Sequence, residues 1–346
     1  MQALVLEDAR VLNIREVPEP EVGAEDVLIR VRACGICGSD VHGYDGRTKR
    51  RIPPLIMGHE AAGVVTKIGA EVSSVHVGDR VTFDSTVYCG QCYFCRMGDV
   101  NLCDNRQVLG VSCNDYRRNG AFAEYVKIEH PREMLFRLPD NVSFEQGALV
   151  EPLSTSLHAV RLSRVRPGDS VVVIGAGMIG LGTIQFLKLA GAGRIIALEI
   201  SETKAGLALK AGADIVLDPL KEGEGLQAHI LDLTDGVGAE VVYECSGVPF
   251  GFQNAMYFAK SGGQVMIVGI VDKEVAFTPF RMVLTEIEMK AVLGYYDEFD
   301  YVIRFLSQGR LNTDILISGI VPLSDVEKGF DRLLSSRDDV KILVRP

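Results

Sequence analysis

The chain of 346 residues predicts an α/β protein with two parts: a doubly wound parallel sheet, and a small antiparallel β structure resembling a partly open barrel. Three observations carry that expectation. The length is long for a single core. A G-x-G-x-x-G run directly follows an apolar stretch in VVVIGAGMIGLG, beginning at Val171. Near Ser143 the apolar pattern changes from short, turn-separated alternating runs to strands interleaved with helical spacing.

Residues 1 to about 35 alternate apolar and polar side chains, as at Ala3 and Val5 and again at Val27, Ile29 and Val31. VPEPEVGAED reads as the turn-rich link between these strands, and GVVTKIGAEVSSVHVGDRVTF continues the pattern with valines between glycines. SFEQGALVEPLSTSLHAVRLSRV then has helical spacing, with Ser143 as cap and Glu145 in the first turn. From 171 onward, strands are expected at 171–174, 194–198, 214–217, 240–243, 264–268 and 289–293. Helical stretches such as SETKAGLALKAG separate them, which is the pattern of βαβ units. YVIRFLSQG and VEKGFDRLLSS read as two further helices, and KILVRP as a last strand.

The glycine run has a physical reading. Gly175 makes a tight turn, Gly177 lets backbone approach a pyrophosphate, and Gly180 lets helix and strand pack closely. The helix start supplies free N–H groups and a positive dipole end. Glu199 ends the next strand, about twenty residues on, where a carboxylate suits a ribose hydroxyl and repels a 2′-phosphate. Gly175, Gly177, Met178, Ile179, Gly180, Glu199 and Lys204 are therefore the candidate cofactor-binding residues, and the expected cofactor is NAD. A plain strand–turn–helix is the competing reading, since glycines also punctuate ordinary loops.

Composition narrows the partners. With 47% hydrophobic and 24% charged residues the chain reads as a globular enzyme, and a net charge of −10 argues against nucleic acid and anionic membranes. The one basic cluster, Arg47-Thr48-Lys49-Arg50-Arg51, reads as a solvated loop, or less simply as a contact for a phosphate-bearing substrate. No basic segment precedes an apolar run at the N-terminus and no run reaches membrane length, so the expected location is the cytoplasm. There, eight cysteines point to metal or redox chemistry before disulfides.

Cys89, Cys92, Cys95 and Cys103 follow C-x2-C-x2-C-x7-C. Four thiolates can close a tetrahedral shell on Zn²⁺ with no open position, a structural site, with iron–sulfur ligation as the rival. A second set is spread over ACGICGSDVHG (Cys34, Cys37, Ser39, Asp40, His42), MGHEAAG (His59, Glu60) and LVEP (Glu151). Singly, Cys34 and Cys37 could be a redox pair and His59 a core histidine. Together they supply ligands suited to a catalytic zinc with one open position.

With GICGSDVHG, MGHEAAG, the four-cysteine run, LVEPLS and VIGAGMIGLG in this order, the chain resembles the zinc-dependent medium-chain dehydrogenases of the alcohol and polyol type. The resemblance implies a GroES-like catalytic domain at 1–147 and 288–346 and a Rossmann domain at 148–287. It implies two zinc ions per chain, a homodimer or homotetramer, and hydride transfer between NAD(H) and a secondary alcohol, polyol or vicinal diol. Cys37 and His59 would hold the catalytic zinc, with Glu60, Glu151 or both in exchange as the carboxylate. Asp40 would orient His59 through its other ring nitrogen, Ser39 would contact the substrate hydroxyl, and His42 would pass its proton on.

Alcohol-type members carry cysteine where this chain has Glu151, so LVEPLS is polyol-like. The arginine that sorbitol-type members place after the last Rossmann strand is replaced by Gly294 in AVLGYYDEF, which resembles 2,3-butanediol dehydrogenases instead. Threonine and sugar-alcohol-phosphate dehydrogenases share most of these motifs. A zinc-free quinone reductase would lack Cys37, His59 and the four-cysteine run. A non-catalytic zinc- and NAD-binding protein would have no use for Ser39 and His42.

Overall fold

The strand Val27–Gly35 organises the first half of the computed structural model, which describes residues 1–346. One edge pairs antiparallel with Glu60–Ile68, ending at Gly35 opposite Glu60. The other edge is shared: Tyr125–Ile128 takes Val27 to Arg30, and Lys341–Arg345 takes Cys34 and Gly35. Arg80–Phe83 and Leu135–Arg137 extend the sheet beyond Glu60–Ile68, and Ile317–Pro322 flanks Lys341–Arg345, for seven strands in all. Every pairing is antiparallel except that of Ile317–Pro322 with Lys341–Arg345. Val11–Glu16, Gln2–Asp8 and Leu55–Ile56 make a further three-stranded sheet. Ile29, Val31, Val65 and Val81 point into one core with Phe122 and Phe330, the alternation required of strands with one buried face.

The second half is a six-stranded parallel sheet. Its order is Ile215–Leu217, Arg194–Leu198, Ser170–Ile174, Ala239–Glu244, Ala259–Ile267, Glu288–Ala291. Val171, Val172 and Val173 are fully buried, as the central strand of a sheet covered on both faces demands. Helix Met178–Ala190 starts at Gly177 and ends at Gly191, which takes the left-handed conformation at φ 85°. The expected cap at Ser143 is present: its side chain accepts from Gln146 N at 3.1 Å while Gln146 Oε1 accepts from Ser143 N at 3.0 Å.

Two compact units result: Met1–Glu151 with Phe299–Thr313 and Ile317–Pro346, and Pro152–Glu298 with Asp314–Leu316. These bounds differ from the division read from the sequence, 1–147 and 288–346 against 148–287. The larger difference is at 288. There Glu288–Ala291 pairs with Gln264 to Ile267 and completes the parallel sheet, so residues up to Glu298 lie with it. No helix is long and apolar enough to cross a membrane.

Candidate active site

The chain leaves Val27–Gly35 through Ile36 and Cys37 and enters the helix Gly38–Tyr44 at once. Cys37 is the extended N-cap residue, and its N–H donates to Asp40 Oδ2 at 3.3 Å. Cys37, His59 and Glu60 each offer a ligand atom, and these atoms lie within 4.8 Å of one another. Thiolate, imidazole and carboxylate form a donor set that zinc accepts while keeping a fourth position open.

His59 and Asp40 are buried, with His59 Nδ1 facing Asp40 Oδ1 at 3.4 Å, longer than a good hydrogen bond. Burial works to lower the His59 pKa, yet the charges of Asp40 and Cys37 raise it well above the usual value. The negative charge gathered round this imidazole is what a divalent cation would neutralise, so the residues fit the metal that the motifs imply.

Glu60 has a second partner that sequence reasoning missed. Lys341 Nζ donates to Glu60 Oε1 at 2.8 Å, to Oε2 at 2.6 Å and to Ile36 O at 3.1 Å, all buried. Burial pulls the Lys341 pKa down, but Glu60 and Cys37 more than offset this and leave it raised. The contact passes over Gly35, where a Cβ would overlap the Glu60 carboxylate. The only signal in the sequence was a lysine opening the apolar strand KILVR.

Glu151 stands outside the three-residue group. It is half-buried in the first turn of Val150–Leu162, near enough for its charge to help raise the Lys341 pKa. Cys34 is a buried core thiol whose pKa is raised well above normal, first by burial. Ser39 lies half-buried in the first turn of the Gly38–Tyr44 helix, and His42 half-buried in its last turn.

The basic cluster divides. Arg47, Lys49 and Arg50 are exposed, as a solvated loop would have them, but Arg51 is buried. Its Nη2 donates to Ser39 Oγ at 3.1 Å and to Asp40 Oδ1 at 3.0 Å. Burial raises the Asp40 pKa, but His59 and Arg51 together drive it well below the carboxylate range. A charge run gives no hint of which member turns inward.

The four-cysteine segment has almost no interior of its own, and its helix Tyr93–Met97 buries no residue. Cys89, Cys92, Cys95 and Cys103 are free, with their sulfurs within 4.8 Å of one another. Cys92 and Cys95 sulfurs are 3.5 Å apart, and those of Cys89 and Cys103 3.6 Å. Sulfurs at the corners of a zinc tetrahedron stand about 3.8 Å apart. Cys103 Sγ accepts from Cys89 N at 3.4 Å and Asn105 N at 3.3 Å. Backbone N–H groups of Gln91 and Cys92 pull the Cys89 pKa down to about 6, while burial and neighbouring sulfurs push Cys95 up to about 12. Thiols this close cannot all ionise without a cation among them, and a closed shell of four fits zinc.

In the parallel-sheet unit the strand order reverses between Arg194–Leu198 and Ala239–Glu244, on either side of Ser170–Ile174. Ligands of open α/β sheets bind beyond the carboxyl ends at such a point. Gly175 sits there at φ 92°, and a Cβ on it would meet Ser246 at 2.9 Å. A Cβ on Gly180 would overlap the Gly175 carbonyl oxygen, whereas one on Gly177 would meet nothing within 4 Å. Tight turn, open approach and close packing thus fall on Gly175, Gly177 and Gly180 in that order. Met178 and Ile179 form the first turn of the helix. Glu199 accepts from Ala176 N at 2.8 Å, Ile200 N at 2.8 Å and Ser201 N at 2.9 Å, which ties it to the glycine turn. Beside it lies a cavity of about 270 Å³ lined by Glu199, Ser201, Glu202, Asp218, Lys221 and Glu222 among others. Lys204 is half-buried in the following helix, with its N–H on Ser201 Oγ at 3.1 Å.

Known proteins resemble this chain in sequence and fold. Residues 23–140 match the alcohol dehydrogenase GroES-like domain, and residues 179–308 match the zinc-binding dehydrogenase family. The sorbitol dehydrogenase of Bacillus subtilis is 32% identical over 351 residues, covering 100% of this chain and 97% of that protein. The (R,R)-butanediol dehydrogenase of the same organism is 36% identical over 358 residues, covering 100% of both. A protein of Sinorhizobium meliloti 1021 solved with NADP bound superposes at a TM-score of 0.92 and 33% identity, covering 100% of this chain and 99% of that one. Motifs, fold and relatives agree along the whole length, and the chain belongs to the zinc-dependent medium-chain alcohol and polyol dehydrogenases, a family of oxidoreductases.

Proposed function

We propose that the protein oxidises one secondary hydroxyl of a vicinal diol or short polyol to a ketone with NAD⁺, and reduces the ketone in the reverse direction. The observation that carries the reading is the Cys37, His59 and Glu60 group, in which Cys37 caps the helix whose first turn holds Ser39. Cys37, His59 and Glu60 would hold a zinc ion, which would supply Lewis acidity to the alcohol, and the glycine turn would hold a nicotinamide cofactor as the hydride acceptor. Ser39 Oγ takes the alcohol proton and His42 hands it toward solvent. Asp40 holds the His59 ring in place from its Nδ1 side. Glu151 serves as the exchangeable carboxylate when Glu60 stays with Lys341.

NAD is favoured over NADP by charge. The cavity beside Glu199 gathers Glu199, Glu202, Asp218 and Glu222 against a single lysine, Lys221, a poor setting for a 2′-phosphate. That a relative carries NADP makes this residue set the deciding feature. A small diol is favoured by Gly294, which has a left-handed backbone at φ 55° and offers no guanidinium to a longer polyol.

The test is NADH absorbance with a panel of diols, sorbitol, xylitol, threonine and sugar-alcohol phosphates, with NAD⁺ and NADP⁺, before and after chelation. Highest kcat/KM is expected for a vicinal diol with NAD⁺, with loss on chelation. Higher kcat/KM with NADP⁺ would overturn the cofactor assignment, and faster turnover of threonine or a phosphorylated polyol the substrate assignment.

A further inference from the structure

Arg51 is 5% exposed, and its guanidinium sits over the first turn of the Gly38–Tyr44 helix. Nη2 donates to Ser39 Oγ at 3.1 Å and Asp40 Oδ1 at 3.0 Å, Nε to Asp40 Oδ1 at 3.3 Å, and Nη1 to Arg50 O at 3.0 Å. Its backbone is held as well. Ile52 N donates to Ser112 O at 3.0 Å and Ser112 N to Arg50 O at 3.3 Å, with Arg51 itself bridged to Ser112.

A separate observation shows that the helix is shaped to receive this side chain. Gly43 is buried inside the helix without a left-handed backbone, so conformation gives no reason for a glycine. A Cβ there would overlap Arg51 Cγ and lie 2.7 Å from Arg51 Cβ. The glycine is the groove in which the arginine stem lies.

A guanidinium has no acceptor and stays charged, so its bond to Ser39 can run only one way. The serine oxygen has two lone pairs and one hydrogen. With one lone pair taken by Nη2, the second can accept the substrate proton while the serine's own hydrogen must point away from the cation. As the substrate proton arrives on Oγ, the original serine proton leaves to the next acceptor, and Ser39 ends unchanged. We propose that Arg51 is a positioning residue for proton transfer, fixing the direction in which the Ser39 hydroxyl accepts and donates. This rests on the reading of Ser39 as the group that takes the alcohol proton.

Arg51→Lys separates this role from simple compensation of Asp40. A lysine ammonium reaches about where the guanidinium carbon sits, about 1.3 Å short of Nη2. It would keep a cation beside Asp40 and lose Ser39. Zinc content, NADH binding by fluorescence and thermal midpoint are expected near wild type. The kcat for alcohol oxidation is expected to fall by at least ~10-fold with little change in KM, and the solvent deuterium isotope effect on kcat to rise. Gly43→Ala, which displaces the stem and removes no polar atom, should move kcat and the isotope effect the same way. In a Ser39→Ala background, Arg51→Lys should cost nothing further. An unchanged kcat and isotope effect in Arg51→Lys, or an equal loss with and without Ser39, would overturn the proposal. Wild-type turnover in Ser39→Ala alone would instead remove the reading of Ser39 on which it rests.

Discussion

The Glu60 carboxylate has two claims on it. Both oxygens are held by Lys341, and one ligand oxygen also lies within reach of Cys37 and His59. Removing it therefore does two things at once. Glu60→Ala should lower zinc occupancy or kcat by at least ~10-fold. It should also destabilise the protein by about 3–5 kcal/mol, because a buried lysine loses its partner. Glu151→Ala, at a half-buried position, should show the activity loss with a much smaller fall in thermal midpoint, and Cys37→Ser should be worse for activity than either. Metal analysis, turnover and thermal melts of the three variants decide this. Wild-type zinc and turnover in both glutamate variants would refute the ligand roles of Glu60 and Glu151. The motifs made Cys37, His59 and Glu60 readable from the sequence because they cluster locally in CGSDVH and GHE. Lys341 and Arg51 were not readable, because burial of a basic side chain depends on what the fold lays over it. For Lys341 the partner, Glu60, lies 281 residues away in sequence and is reached only once Lys341–Arg345 pairs with Val27–Gly35.

At the scale of elements, periodicity served well where strands are buried on both faces. The expected strand 194–198 is Arg194–Leu198 in the structure, and the expected helix after Ser201 is Glu202–Ala211, capped by Ser201 Oγ accepting from Lys204 N. The short pairings of the first unit were less visible. Thr86–Val87 with Gln107–Val108, two residues each, has no period to detect. That pairing flanks the four-cysteine segment, whose order must come from its sulfurs. Cys92→Ser is expected to drop metal content from about two ions per chain to about one and to lower the thermal midpoint while the Cys37 site keeps its ion. Loss of all metal and activity together would contradict two independent sites, and iron with sulfide in the wild type would replace zinc there.

The whole molecule leaves apolar surface uncovered at one end of the parallel sheet. Glu288–Ala291 is an edge strand with a single neighbour. The adjoining segments expose Ile270 at 76%, Phe280 at 68%, Val283 at 75% and Leu284 at 68%. Exposed edges and apolar side chains of this kind favour pairing with a second copy across a two-fold axis. Light scattering at micromolar concentration should give a dimer or tetramer, and Val283→Asp with Leu284→Glu should shift it toward monomer. A 37.7 kDa particle for the wild type would rule this out.

The shared edge of Val27–Gly35 also bears on the timing of folding. The strand has Tyr125–Ile128 along part of its length and Lys341–Arg345 along the rest, with the whole parallel-sheet unit inserted between those two partners in the chain. On a ribosome adding about 5–20 residues per second, Glu60 emerges roughly 15–55 seconds before Lys341. During that interval the first unit lacks both its closing strand and the cation for its buried carboxylate. The inserted unit, Pro152–Glu298 with Asp314–Leu316, is complete in sequence before Lys341 and has its own core. The part made in the middle is thus available to close first, whereas the part made first is complete only with its last strand.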